Sequence, residues 1–87
     1  MLTVEIYTWQ FCPFCIRAKA LLNAKQVHFT EYAIDGDEEA RRQMAIKADG
    51  RKSVPQIFIN GQGIGGCDEL YALEESGQLN QILGLTK

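Results

Sequence analysis

Two cysteines three residues apart enclose a proline and a phenylalanine, Cys12-Pro13-Phe14-Cys15, where an apolar strand pattern gives way to a helical one. A sulfur at a strand-to-helix junction faces unpaired backbone N–H groups and the positive end of the helix dipole, both of which favour negative charge. Cys12 is therefore a candidate thiolate. Pro13 suits the first helical position, where the N–H it lacks would be unpaired and its fixed φ is already helical. Cys15 then lies one turn further in, close enough to form a disulfide with Cys12 after local adjustment, so the pair reads as a dithiol switch. The same spacing supplies half of many zinc sites. A structural zinc would need a second ligand pair, and the chain offers only Cys67 and His28, far apart in sequence. Inert buried cysteines are the third reading, and a proline between the two at a helix start argues against it.

The bounds set by length and composition agree with a small redox domain. At 87 residues the chain is expected to form one domain, 1–87, without internal repeats or linkers. Folding at this length buries roughly 60 to 65% of the unfolded chain's surface, enough for a modest core. Nine basic against eleven acidic residues, a net charge of −2, give no polyanion-binding signature, so no nucleic acid partner is expected. No segment approaches the length of a transmembrane helix, and no charged stretch followed by an apolar run opens the chain. No membrane association and a cytoplasmic location are the expectations. Three cysteines, two of them in one motif, fit a reducing compartment better than a secreted disulfide framework.

The elements that must position the cysteines follow from periodicity. Leu2, Val4 and Ile6 alternate with Thr3, Glu5 and Tyr7 as in a strand, and Trp9 to Phe11 form the loop into the motif. From Pro13 to about Lys25, Ile16, Ala20, Leu21 and Ala24 recur at helical spacing and predict the buried face of a first helix. Val27 to Ile34 reads as a second strand, parallel to the first through a right-handed crossover. Asp35 with Glu38 resembles a capping box for a second helix from about Asp37 to Ala48, with Ala40, Met44, Ala45 and Ala48 inward and Gly50 ending it. Gln56–Ile59 and Gln62–Gly65 flank Asn60-Gly61, a strong hairpin signal. Gly65-Gly66 frees the backbone for unusual dihedrals or close approach of a ligand. A third helix starts at Cys67-Asp68-Glu69-Leu70 with Cys67 or Asp68 near its cap, packs through Leu70, Tyr71 and Leu73, and stops at Gly77. Leu79, Ile82 and Leu83 suggest a short terminal helix. The fold class is α/β, a four-stranded mixed sheet flanked by helices in the order β-α-β-α-β-β-α.

That order, with the cysteine pair at the first helix and a proline just before the third strand, resembles the thioredoxin fold. Cys12-Pro13-Phe14-Cys15, Ser53-Val54-Pro55 and Gly65-Gly66-Cys67-Asp68 resemble, in order and spacing, the three signatures of the glutaredoxin family, over essentially the whole chain. The resemblance implies a glutathione-disulfide oxidoreductase that acts as a monomer on glutathionylated proteins and protein disulfides. Glutathione would be its reducing co-substrate, with no cofactor tightly bound. It implies Cys12 as nucleophile and Cys15 as resolving thiol, with glutathione held by Phe14, Arg42, Ser53, Val54, Pro55, Gly66, Cys67 and Asp68. Val54 would pair its backbone with the glutathione cysteine as a short strand does. Pro55 would be cis, as in the family. The N–H groups of Gly66 and Cys67 would hold the γ-glutamyl carboxylate, and Asp68 the ammonium. Two positions depart from the family pattern: Phe14 stands where many members have Tyr, and Trp9 where many carry Lys. Arg42, eleven residues before Ser53, falls where members place Gln or Arg for the glycine carboxylate, with Arg51 and Lys52 as further candidates.

Plainer readings stand beside these. Arg41 and Arg42, with Glu38 and Glu39, also fit the solvated face of the second helix. His28 reads as a surface histidine outside the site. Trp9 is either a packing residue or an aromatic rim for protein substrates. Cys67 would act through its backbone N–H more than its thiol. Two rival functions remain: an iron–sulfur carrier in which Cys12 of two subunits and two glutathiones hold a [2Fe–2S] cluster, and a thioredoxin-like reductase fed by a flavoprotein. Pro13 and Cys15 weigh against the carrier, whose relatives mostly have Cys-Gly-Phe-Ser. The Gly-Gly-Cys-Asp element weighs against the reductase.

Overall fold

The alternating pattern at the start of the chain folds as β1, Val4–Thr8, with Val4, Ile6 and Thr8 buried and Glu5 and Tyr7 half-buried. The computed structural model describes residues 2–85, so Met1, Thr86 and Lys87, included in the single-domain reading, lie outside the described residues. After β1 come α1 (Pro13–Ala24), β2 (Thr30–Ala33), α2 (Glu38–Lys47), β3 (Gln56–Ile59), β4 (Gln62–Gly65), α3 (Cys67–Glu75) and α4 (Gln78–Ile82). The sheet order is β2-β1-β3-β4, with β2 parallel to β1 and both β3 and β4 antiparallel to their neighbours. This is the four-stranded mixed sheet expected from the sequence. Its centre is the pairing of Ile6 with Ile57, both fully buried. Every residue of the inner strand β3 is buried, whereas β2, at one edge, is exposed throughout.

The first helix turns a different face to the core than its apolar spacing suggests. Cys15, Ala18 and Leu22 are buried, while Ile16, Ala20 and Ala24 face solvent and Leu21 is half-buried. The phase is set at the helix start: Cys15 turns inward beside Cys12, and Ala18 one turn later enters the core cluster. On α2 the prediction holds for Met44, Ala45 and Ala48, with Ala40 half-buried.

Two boundaries also differ. β2 starts at Thr30 rather than Val27, because the chain leaves α1 through Gln26 at φ +59° and the Val27 N–H returns to the Leu22 carbonyl at 3.4 Å. Val27 and Phe29 pack against the core from this turn, so their apolar character reflects burial without strand pairing. The cap of α2 is Asp37, whose Oδ1 accepts the Ala40 N–H at 3.0 Å, and not Asp35. Asp35 instead accepts the Gln10 N–H with both carboxylate oxygens, at 3.0 and 2.8 Å, and so ties the loop before Cys12 to the end of β2.

Helices α1 and α3 must hold a fixed relation, because each contributes its N-terminus to the same region. The Tyr71 hydroxyl donates to the Arg17 carbonyl at 3.0 Å, and Lys25 bonds Glu74 at 2.6 Å and Asn80 at 2.7 Å. These contacts fasten α3 and α4 along α1. Among the described residues no helix is long and apolar enough to cross a membrane.

Candidate redox site

Cys12 is the N-cap of α1, in extended conformation at φ −137° and ψ 103°, with Pro13 as the first helical residue. Its Sγ accepts the Cys15 N–H at 3.1 Å, one of the four donors a helix start leaves unpaired. The sulfur thus stands where a helix start favours negative charge. Cys12 and Cys15 are joined as a disulfide with their Cα atoms 5.1 Å apart. Cys15 is wholly buried, whereas Cys12 keeps 7% of its surface, so an external sulfur meets Cys12 and not Cys15.

Three segments converge on this pair. Val54, joined to Pro55 by a cis peptide bond, places its carbonyl oxygen 4.0 Å from the Cys12 sulfur. Ser53, just before it, accepts a long 3.4 Å bond from Gln56 Nε2 through its hydroxyl. The start of α3 supplies Gly66, Cys67 and Asp68. Together with Phe14 these residues line one cleft of about 390 Å³, to which Arg51, Gln56 and Glu69 also contribute. That volume lies within the range of small-molecule sites. Seven of the eight residues assigned to glutathione are therefore brought together, and Arg42 is the exception. Arg42 lines a neighbouring concavity with Glu38, Glu39, Arg41 and Lys52, and its guanidinium bonds the Glu39 carboxylate at 2.8 and 2.6 Å.

The start of α3 departs from expectation in one donor. Gly66 is the cap residue, and its N–H is donated to Glu69 Oε1 at 2.6 Å, as the reaching half of a capping box. That N–H is thus spent within the protein. The first-turn donors left for a ligand are those of Cys67, Asp68 and Glu69. Gly65 precedes them at φ +106°, a conformation that favours glycine. A Cβ there would lie 2.6 Å from Glu69 Oε1 and 2.7 Å from Arg51 Nη1. Sequence reasoning passed over Glu69 and Gln56. The signal for Glu69 was its place three residues after the cap.

Burial pushes the Cys67 thiol up from its ordinary pKa, partly opposed by the Arg17 charge, so this sulfur stays protonated and inward. Trp9 is 37% exposed, and the Arg41 guanidinium lies 5.2 Å above its ring while donating through Nε to the Lys52 carbonyl at 3.0 Å. A cation thus sits against Trp9. Phe11, 87% exposed, and Phe14, 54%, extend the apolar rim around the cysteines. His28 is exposed. Among the described residues no three His, Cys, Asp or Glu side chains are grouped to hold a metal ion.

Comparison with known proteins agrees with this geometry. The glutaredoxin family model matches residues 4–64. A probable glutaredoxin of Synechocystis sp. is 66% identical over 80 residues, covering 92% of this chain and 73% of its own. Glutaredoxin 3 of Escherichia coli strain K12 is 57% identical over 83 residues, covering 95% and 99%. Among solved structures, a buckwheat glutaredoxin–glutathione complex superposes with a TM-score of 0.88 at 23% identity, covering 95% of this chain and 77% of that one.

Proposed function

The chain belongs to the glutaredoxin family and is a thiol–disulfide oxidoreductase, and from that premise we propose that it uses glutathione to reduce glutathione mixed disulfides and protein disulfides. The observation that carries this reading is the single cleft joining Phe14, Ser53, Val54, Pro55, Cys67 and Asp68 beside the one cysteine of the pair that reaches the surface. Support also comes from the buckwheat protein of the same fold, which was solved with glutathione.

The reduced Cys12 thiolate attacks the glutathione sulfur of a mixed disulfide. A bond forms between Cys12 and that sulfur, the substrate sulfur leaves with the bonding pair, and it takes a proton from water. A second glutathione thiolate then attacks the bound glutathione sulfur, which yields oxidised glutathione and restores the Cys12 thiolate. With a protein disulfide, Cys12 forms a mixed disulfide with the protein. Cys15, one turn away at high effective concentration, then attacks the Cys12 sulfur and releases the protein dithiol. The product is the Cys12–Cys15 disulfide, which two glutathiones reduce again. The partition of roles follows from access: a buried Cys15 meets only the sulfur of Cys12 itself.

Phe14 forms an apolar wall, Val54 offers backbone to the glutathione cysteine, and the Cys67 and Asp68 N–H groups take the γ-glutamyl carboxylate. Asp68 takes the ammonium. The working form is a monomer, and the compartment is the cytoplasm, whose reducing poise keeps the pair as thiols. The test is reduction of the mixed disulfide between glutathione and β-mercaptoethanol, coupled through glutathione reductase to NADPH consumption. Turnover supports the reading. Activity only with thioredoxin reductase as electron source overturns it.

A further inference from the structure

The cleft beside Cys12 carries an uneven set of charges. Among the described residues that line it, Arg51 is the one cation, and Asp68 and Glu69 are the carboxylates. Arg51 does not simply project into solvent. Its Nη1 passes over Gly65, whose missing Cβ would lie 2.7 Å away, and stands 3.7 Å from Glu69 Oε1. Glu69 is itself fixed by the Gly66 N–H at 2.6 Å. The guanidinium is therefore held at the first turn of α3, with its side chain 55% exposed. A separation of 3.7 Å exceeds the roughly 2.7 to 2.9 Å of a full charge-assisted bond. Arg51 thus keeps most of its five donors for a second carboxylate.

A lining with one such cation and a carboxylate beyond the one that fixes it is complementary to a group bearing one carboxylate and one ammonium, the α-amino acid end of a peptide. The other arginine considered for carboxylate binding, Arg42, is already engaged by Glu39 in a different concavity. We propose that Arg51 is a specificity-determining residue that binds the α-carboxylate of the γ-glutamyl end of glutathione, with Glu69 as the positioning residue that holds its guanidinium over Gly65. The inference rests on the glutathione reading above. It adds a side-chain cation to the backbone donors of α3, and it assigns Gly65 a second duty, which is to leave room for Arg51 to cross.

Single-turnover reaction of the fully reduced protein tests this with three mixed disulfides of β-mercaptoethanol: those of glutathione, γ-glutamylcysteine and cysteinylglycine. The last lacks the γ-glutamyl group. The native protein is expected to half-saturate at lower concentrations of the first two. Arg51→Ala should raise the half-saturation concentration for these two roughly tenfold, the size of one partly screened charge-assisted contact, with the change in binding and not in the maximal rate. Its preference over cysteinylglycine should narrow by the same factor. Arg51→Lys, which keeps the charge without the planar fork, should recover part of it. A variant that retains the full native preference overturns the assignment of Arg51 and leaves the glutathione reading standing. A native protein that does not distinguish the three substrates overturns the glutathione reading and the proposal with it. Equal loss on all three substrates in Arg51→Ala makes Arg51 a structural residue and also overturns the proposal.

Discussion

The sulfur of Cys12 and the carbonyl oxygen of Val54 lie 4.0 Å apart although 42 positions separate them in the chain. The sulfur of the pair that reaches the surface is thereby set beside the half-buried Val54. Under the proposed function, a substrate chain pairing with Val54 as a short strand would have its own sulfur delivered to Cys12 without further search.

The two cysteines of the motif should separate by substitution. Cys12→Ser removes the nucleophile and is expected to abolish both activities. Cys15→Ser should retain reduction of a glutathione mixed disulfide, since a second glutathione completes that cycle, yet slow reduction of a protein disulfide by an order of magnitude or more. Both rates are measured on one preparation at matched glutathione and pH. Equal loss of the two would make Cys15 part of the shared chemistry.

Alkylation should distinguish the sulfurs of the reduced protein. Cys12 is a helix cap that reaches the surface, whereas Cys67 is buried and its thiol is pushed up by that burial. Brief treatment with iodoacetamide at neutral pH, followed by peptide mass spectrometry, is expected to label Cys12 well before Cys67. Comparable labelling would contradict the inward placement of Cys67.

Acid sensitivity should involve Glu31. The buried Thr8 hydroxyl donates to Glu31 Oε2 at 2.6 Å and Lys19 lies 2.9 Å from the same oxygen, which holds this carboxyl below its ordinary value of 4.5, the Thr8 bond contributing most. A carboxyl depressed in the folded state adds stability that is fully present above the unfolded pKa and is lost as pH falls through the folded one. Stability should therefore decline as pH falls from about 4.5, and Glu31→Gln should flatten that decline. The effect is modest, because Glu31 is about one-third exposed and screened by water. Parallel urea titrations between pH 3 and 7 supply the comparison, and identical slopes would remove Glu31 from the account.

Gly65→Ala carries two burdens: a left-handed backbone at φ +106°, and a methyl group that meets Glu69 and Arg51. The backbone conformation alone costs about 1 to 2 kcal/mol. For a domain of this size that lowers Tm by roughly 5 to 15 °C. Thermal unfolding with full retention of Tm would show that the loop relaxes without strain.

Local chemistry in the sequence was enough to place the cysteines and the start of α3, because each is punctuated by Pro or Gly whose backbone preference is independent of the rest, whereas the cis bond before Pro55 was legible only through the family resemblance. The order of elements was legible for the same reason. The buried face of α1 was not, since Ile16, Ala20 and Ala24 offer as good a helical stripe as Cys15, Ala18 and Leu22, and only the docking of Cys15 decides between them. Capping by Asp37 in place of Asp35 was hidden by two acids with equal claims to the position. That Arg51 lines the cleft and Arg42 does not turns on which side chain the fold brings over Gly65, and no spacing rule contains that distance.

The late position of β3 and α3 in the chain has a consequence during synthesis. Cys12 and Cys15 leave the ribosome about 40 residues before Val54 and about 50 before Gly66, an interval of about 4 to 5 s at roughly 10 residues per second. β1 has no β3 to pair with until then, so for those seconds the nascent chain carries two thiols without the cleft that lies beside Cys12 in the folded protein. Thiol labelling of ribosome-bound chains stalled before Ser53 should find Cys15 as reactive as Cys12, an equivalence that ends when the sheet closes. The cleft beside Cys12 is completed only with the final two-fifths of the chain, while the paired cysteines are among the first residues made.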